Sequence, residues 1–214
     1  MGSFVKEWSW RLLAVPFATR LLDFYFFQML KGRVIGIENL INSPCILAFN
    51  HSSYLDWLLT YHLFSRHYGI QIVFLAKSKL NTKPLWRACV RHGRAIVVNY
   101  EQKQSIRKAL NDMRGHLLAH HIVGIFPEGT RSADGRLQHS HEGAAWLAIQ
   151  AGVPIIPIAL QGFYQAWPRH RLFPGIAPCT IRIGTPITQS SDMNRQQFTQ
   201  KLMDKLGQLL AETE

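Results

Sequence analysis

The chain has 214 residues, of which 47% are hydrophobic, and it carries a formal net charge of +11 at pH 7. This length and apolar content suit one domain with a substantial buried core, and they exclude an intrinsically disordered tail. Because the basic residues form no dense run and no nucleic-acid motif is present, we expect an anionic lipid surface or a phosphorylated cosubstrate as partner, and no nucleic acid.

Three scattered cysteines, Cys45, Cys89 and Cys179, are odd in number and lack metal-ligand spacing. They predict reduced, buried thiols, so we expect neither a disulfide framework nor a zinc site, and no other metal. No run of eighteen uncharged apolar residues is present, and the N-terminal pattern is not that of a cleaved signal peptide. A plain membrane span and a signal peptide are therefore not expected.

Residues 1–33 are crowded with aromatic and aliphatic side chains, with Lys and Arg interspersed. Pro16 predicts a break between two helices, because proline disrupts a helix interior. Aromatic-rich helices flanked by cations are typical of the membrane interface, although the same residues could pack on the protein's own core. We expect an amphipathic helical pair over residues 1–33 that lies on a membrane surface, and one domain over residues 34–214.

Short apolar runs alternate with helical patterns along the rest of the chain. The predicted strands are residues 34–37, 45–49, 70–76, 95–98, 122–126, 153–160 and 180–184. The predicted helices are residues 57–64, 80–92, 104–120, 141–150 and 198–209. Two prolines in the strand at 153–160 favour an edge or irregular strand. The alternation predicts a single α/β domain with a mostly parallel sheet flanked by helices on both faces.

His51 and Asp56 lie where the strand at 45–49 turns into the next helix. On one continuous helix five residues span about 500°, so the two side chains would point apart. They can meet only if His51 lies in the turn and Asp56 in the first helical turn. The carboxylate would then accept a hydrogen bond from one imidazole nitrogen and leave the other as a general base. The alternative is a chance spacing among ten histidines, with Asp56 an ordinary helix-start carboxylate.

A second motif, Phe-Pro-Glu-Gly-Thr-Arg-Ser at residues 126–132, follows the strand at 122–126. Both motifs begin where a strand ends, and ligands of open α/β sheets bind outside the carboxyl ends of the strands. His51, Asp56, Glu128 and Arg131 are therefore expected to share one cleft. Together, the His-x-x-x-x-Asp spacing and this seven-residue motif resemble the glycerolipid acyltransferase family, whose best-known members are the 1-acylglycerol-3-phosphate acyltransferases. The resemblance covers roughly residues 46–162.

The resemblance implies acyl transfer from acyl-CoA or acyl carrier protein to the hydroxyl of a lysolipid such as 1-acylglycerol 3-phosphate, in phospholipid biosynthesis. Residues 34–214 would be the acyltransferase domain, on the cytoplasmic face of a membrane, with no bound cofactor. His51 would act as the general base, and Asp56 would stabilise the imidazolium that forms. Another lysolipid acceptor, a thioesterase and a non-catalytic lipid-binding protein are the alternatives.

The resemblance assigns the loop of Glu128, Gly129, Thr130 and Arg131 to the acceptor. Arg131 suits a phosphate because its guanidinium donates two parallel hydrogen bonds. A loop anchor is the alternative role for Glu128, and a surface ion pair is the alternative for Arg131. After the strand at 70–76, Lys77 and Lys79 are expected to meet the anionic acyl donor or to be solvated surface charges.

Two positions depart from the family pattern. The family's Gly-x-x-Phe-x-x-Arg segment has Asn99 in place of the arginine, and the family's pattern of a basic residue followed by glycine, after the second motif, is His141-Glu142-Gly143 here. Both changes remove a cation from the region that the family uses for the acceptor. We therefore expect Asn99 at the acceptor site and relaxed selectivity for the lysolipid head group. The retained second motif disfavours a thioesterase, and the retained His51 and Asp56 disfavour a non-catalytic scaffold.

Overall fold

The computed structural model describes residues 16–78 and 95–213. Within those two segments, no helix has both the length and the apolar character needed to span a bilayer. The predicted helix at 80–92, the first helix of the N-terminal pair and Lys79 lie outside the described residues.

Strands and helices alternate along the chain as predicted. The strands are β1 (Arg33–Ile35), β2 (Ile46–Phe49), β3 (Ile72–Lys77), β4 (Ile96–Val98), β5 (Ile122–Ile125), β6 (Ile155–Gln161) and β7 (Thr180–Ile183). The helices are α1 (16–24, continued by a π-helical turn at Tyr25–Met29), α2 (Leu55–His67), α3 (Lys103–Leu118), α4 (Gly143–Ala151), α5 (Phe163–Ala166) and α6 (Arg195–Ala211). Pro16 is the first described residue of α1, so the break predicted at this proline stays a prediction.

The strands form one sheet in the order β1-β7-β6-β2-β5-β3-β4. Each neighbouring pair is parallel except β6–β7, so the predicted mostly parallel sheet is confirmed. Alternate side chains of β2 enter opposite cores: Leu47 and Phe49 pack with α1 and α2, and Ile46 and Ala48 pack with α3, α4 and α6. The central strand β2 is buried on both faces, and its carboxyl end is therefore held in place from both sides.

The prediction of an edge or irregular strand at 153–160 is wrong, because β6 lies between β7 and β2. Pro157 is tolerated in this interior strand because it faces the residue just past the end of β7. Its carbonyl accepts the Gly184 N–H at 2.8 Å, so its nitrogen, on the same side, lies at the break between the end of β7 and the isolated bridge that pairs Ile155 with Ile187. Pro154 precedes the strand, and its carbonyl accepts the Ile46 N–H at 3.0 Å.

A hydrogen-bonded cluster fastens α1 to α2. Asp23 of α1 accepts bonds from His62 at 2.7 Å, His67 at 2.8 Å and Arg66 at 3.0 Å. Burial alone would raise the Asp23 pKa, but the bonds from His67, His62 and Arg66 outweigh it and lower the pKa to about 2. This stabilisation is complete above the ordinary Asp pKa and is lost as the pH falls through about 2. The cluster thus holds α1 against the helix that carries Asp56.

Candidate active site

His51 and Asp56 meet in the geometry that their spacing predicts. His51 lies in the turn after β2, Asp56 lies in the first turn of α2, and His51 Nδ1 is 2.8 Å from Asp56 Oδ2. The same carboxylate oxygen accepts the backbone N–H groups of Ser52 at 2.6 Å and Ser53 at 2.7 Å. Asp56 is fully buried, and three donors on one oxygen fix its carboxylate in a single orientation.

The His51 ring is held on a second side by Phe126. The two rings stack with centroids 4.1 Å apart and an interplanar angle of 25°. Because Asp56 occupies Nδ1, the tautomer with a proton on Nδ1 is favoured, and Nε2 is the nitrogen that can take a proton. The His51 side chain is 21% exposed, so a substrate hydroxyl can approach the imidazole ring. The arrangement is suited to general-base chemistry.

Glu128 bonds to the main chain on both sides of the site. Its Oε1 accepts the His51 N–H at 2.6 Å, and its Oε2 accepts the Gln138 N–H at 2.8 Å. The residue is only 3% exposed, and both carboxylate oxygens are engaged. These contacts favour the loop-anchor role over direct contact with an acceptor.

The ionisation of Glu128 is finely balanced. Burial, the largest effect, raises its pKa, the N–H donors of His51 and Gln138 lower it, and the charge of Asp56 raises it, giving a pKa of about 7. A carboxyl group whose pKa is raised in the folded state contributes stability below its unfolded pKa, and that contribution is lost as the pH rises through about 7. Glu128 is thus held in place by hydrogen bonds at a position where burial disfavours its charge.

We expect Glu128→Gln to lower the free energy of unfolding by about 1–3 kcal/mol, because the new amide NH2 must face one of two buried backbone N–H groups. The loss should be larger at pH 5 than at pH 8, since only the wild type gains stability as its carboxyl group protonates. Denaturant unfolding at both pH values measures this, with Glu142→Gln as the control, because Glu142 forms a surface ion pair with Arg195. A rise in acceptor KM with unchanged stability would instead show that Glu128 touches the acceptor.

The loop at 126–132 is tied to the His51 turn by its backbone. The Ser132 N–H donates to the His51 carbonyl at 2.7 Å. Gly129 has φ +66°, a conformation that favours glycine, and a Cβ there would lie 3.0 Å from the His141 ring, which would have to shift slightly. Thr130, between Gly129 and Arg131, is exposed. The motif's composition is therefore explained largely by the need to fold this tight loop.

Arg131 provides a cation with free donor capacity. Its guanidinium lies over the Tyr54 ring, 3.7 Å from the ring centroid, and Tyr54 immediately precedes α2. The buried Nη1 has no hydrogen-bond partner among residues 16–78 and 95–213. A buried guanidinium nitrogen without a partner is costly, and an anionic group would satisfy it. Within residues 16–78 and 95–213, Arg131 thus combines a position beside the His51–Asp56 turn with an unpartnered guanidinium nitrogen.

Lys77 and Asn99 lie on the same edge of the sheet but farther along it. Lys77 is the last residue of β3 and Asn99 follows β4; these strands are two and three strands from β2, or about 10 and 14 Å at the usual strand spacing. Lys77 Nζ lies 5.6 Å from the Tyr100 ring centroid. The Asn99 side chain accepts the Glu101 N–H at 3.1 Å and so closes the turn that leads into α3. The structure does not bring these two residues into contact with His51.

Two residues of the site were not singled out from the sequence. Asn50 accepts the Leu160 N–H at 2.7 Å and so joins the end of β2 to β6. Tyr54 supplies the ring on which Arg131 lies. The only sequence signal for either is its place inside the first motif, because the partner of each comes from a distant segment.

Comparison with known proteins shows the family to which this chain belongs. Residues 31–161 match the family model described as Acyltransferase. A 1-acyl-sn-glycerol-3-phosphate acyltransferase of Chlamydomonas reinhardtii is 30% identical over 167 residues, which cover 76% of this chain and 49% of that protein. Human 1-acyl-sn-glycerol-3-phosphate acyltransferase beta is 26% identical over 163 residues, which cover 75% of this chain and 57% of that protein.

A chloroplastic enzyme of the same name from Brassica napus is 32% identical over 140 residues, covering 64% of this chain and 39% of that protein. The chain thus spans about half the length of the curated relatives it matches. The crystal structure of the 1-acyl-sn-glycerophosphate acyltransferase PlsC from Thermotoga maritima superposes with a TM-score of 0.68 and 22% identity, over 100% of this chain and 90% of that one, which shows a shared fold. Since the family model covers more than half of its residues, the chain belongs to the acyltransferase family.

Proposed function

We propose that this protein moves a fatty acyl group from a thioester, acyl-CoA or acyl carrier protein, to the hydroxyl of a lysolipid such as 1-acylglycerol 3-phosphate. The observation that carries the proposal is the contact between His51 Nδ1 and the buried Asp56 carboxylate, which leaves Nε2 to act as a base. Family membership and the names of the curated relatives support the same reaction class.

The reaction needs one base and no covalent enzyme intermediate, because a thioester is already activated. His51 Nε2 takes the proton of the acceptor hydroxyl as its oxygen attacks the thioester carbonyl, and Asp56 stabilises the imidazolium. A C–O bond forms, the C–S bond breaks, and the proton on His51 passes to the departing thiolate. Asp56 is suited to this role because three hydrogen-bond donors fix the orientation of its carboxylate while positive charge develops on His51.

Arg131 is the proposed contact for the acceptor phosphate. Its unpartnered Nη1 and its stacking on Tyr54 present a fixed donor beside the His51 turn. Residue 99, where the family pattern has an arginine, is an asparagine here, so this position beyond β4 lacks a long cationic side chain that could extend toward Arg131. We therefore propose relaxed head-group selectivity, in which lysophosphatidate is accepted and other lysolipids compete.

A location on the cytoplasmic face of a membrane also belongs to the proposal. On α1, Phe17 is 69% exposed, Leu21 56% and Phe24 55%, at spacings that place them on one helix face. Such a stripe, on a chain with a net charge of +11, suits an anionic membrane surface.

The test is to incubate the purified protein with labelled acyl-CoA or acyl carrier protein and a panel of lysolipids. We expect acylated product, and we expect Arg131→Met to lower kcat/KM for lysophosphatidate by about 10- to 100-fold, the usual effect of losing a hydrogen bond to a charged group. Exposed Arg136, in the same loop region, provides the matched control as Arg136→Met. Release of free fatty acid with no acylated lysolipid would identify a thioesterase and contradict the proposal.

A further inference from the structure

A loop between α5 and β7 displays an apolar tip to solvent. In residues 168–178, here called the apolar loop, Leu172 is 80% exposed, Phe173 71% and Ile176 66%. Arg169 and Arg171, which precede this tip, are also exposed. Single exposed apolar side chains are ordinary, but three large ones within five residues form a patch of the kind that marks an interaction surface.

The base of the apolar loop is firmly held. Gly175 N–H donates to the Ala166 carbonyl at 2.7 Å, and the Trp167 indole donates to the Arg171 carbonyl at 3.1 Å. The Tyr25 hydroxyl, at the end of α1, donates to the Gly175 carbonyl at 2.6 Å. The exposed tip is therefore presented from a fixed base that is joined to α1.

The apolar loop is also joined to the active-site turn. The Trp167 carbonyl accepts the Ser53 hydroxyl at 2.7 Å and the Tyr54 N–H at 3.4 Å. Ser53 donates its own N–H to Asp56, so Trp167, the residue just before the loop, is linked through Ser53 to the proposed catalytic carboxylate. The base of the loop is therefore fixed to the turn that holds Ser53 against Asp56.

The chemistry of the tip fits a bilayer. Aromatic and aliphatic side chains next to Arg residues are typical of segments that insert at the membrane interface, where the cations contact anionic head groups. The exposed face of α1, whose Tyr25 hydroxyl donates to Gly175 of the loop, offers a second apolar surface. A net charge of +11 complements an anionic bilayer.

We infer that the apolar loop inserts Leu172, Phe173 and Ile176 into an anionic bilayer beside the active-site entrance. This inference rests on the proposed function, because a lipid acceptor resides in that bilayer. With the loop and α1 both on the surface, the carboxyl edge of the sheet is oriented so that a lysolipid reaches His51 without leaving the membrane.

Sedimentation of the full chain with vesicles tests the insertion. The vesicles contain phosphatidylcholine alone or mixed with phosphatidylglycerol in equal parts. We expect the triple variant Leu172→Ser, Phe173→Ser, Ile176→Ser to bind both at least about tenfold more weakly. The double variant Arg169→Gln, Arg171→Gln should lose only the preference for phosphatidylglycerol. Leu118→Ser, 58% exposed at the end of α3, is the matched control and should bind as the wild type does.

An activity measurement separates this inference from the proposed function. With a short-chain lysolipid below its critical micelle concentration, the triple variant should stay within about twofold of the wild type, and with a vesicle-embedded acceptor it should lose at least about tenfold. The inference is overturned if the triple variant binds vesicles as the wild type does, including the case in which only its self-association changes. It is also overturned if the triple variant loses activity equally with the short-chain and the vesicle-embedded acceptor. If the wild type acylates no lysolipid, the proposed function fails, and the vesicle binding still reports on the loop.

Discussion

His51→Ala is expected to lower kcat by at least about 10²-fold, the usual contribution of a general base. The variant loses the imidazole that Asp56 orients, so the acceptor hydroxyl must attack without a positioned proton acceptor. Acceptor KM should change little, because the proposed anion contact belongs to Arg131. Steady-state rates with acyl-CoA and a lysolipid measure both quantities.

The His51→Ala protein should remain folded for a reason visible in the structure. The hydrogen bonds that tie residue 51 to Glu128 and Ser132 use its backbone N–H and carbonyl, which alanine keeps. The ring itself is partly exposed and stacks on Phe126. His116→Ala, on the surface of α3, controls for the loss of an imidazole elsewhere, and thermal unfolding of both variants should lie near the wild type. Near-normal turnover by folded His51→Ala would rule out the general-base role.

Local chemistry made the His51–Asp56 contact predictable from the sequence. A strand-to-helix turn between two residues five apart is nearly the only geometry in which they meet, and the structure has it. Alternating patterns also predicted the mostly parallel sheet. The interior position of β6 was not predictable in this way. Pro157 is tolerated there because it lies opposite Gly184, 27 residues later in the chain, and a local strand pattern does not show which residues of two strands lie opposite each other.

The wider site depends on strand order, which local patterns do not encode. Lys77, Asn99 and Glu128 each follow a strand predicted from the sequence. The sequence pattern therefore does not distinguish which of the three lies in the cleft with His51. The order β2-β5-β3-β4 places Glu128 next to His51 and separates Asn99 from it by three strands. Glu128 illustrates the same limit, because its role depends on the Gln138 N–H and on burial, neither of which its motif reveals.

Asp56→Asn is expected to lower kcat by about 10²- to 10³-fold through the loss of charge. In Ser–His–Asp enzymes the corresponding substitution costs about 10⁴-fold because the histidine adopts the wrong tautomer. Here one oxygen, Oδ2, accepts from His51, Ser52 and Ser53, and Oδ1 has no hydrogen-bond partner among the described residues. An asparagine can place its amide oxygen at the Oδ2 position and keep all three bonds, so the tautomer should survive while the imidazolium loses its counter-charge.

The same geometry predicts a cost in stability. The asparagine NH2 then occupies the buried Oδ1 position without an acceptor, which should lower the free energy of unfolding by about 1–3 kcal/mol. The pKa of Glu128 should fall, because the charge of Asp56 is one cause of its elevation. Denaturant unfolding, kcat and ¹⁵N chemical shifts of His51 measure stability, rate and tautomer, with surface Asp112→Asn as the control. A fall in kcat near 10⁴-fold, with the His51 proton moved to Nε2, would show that the amide group of the introduced asparagine had rotated. Full activity would show that the charge of Asp56 takes no part in the reaction.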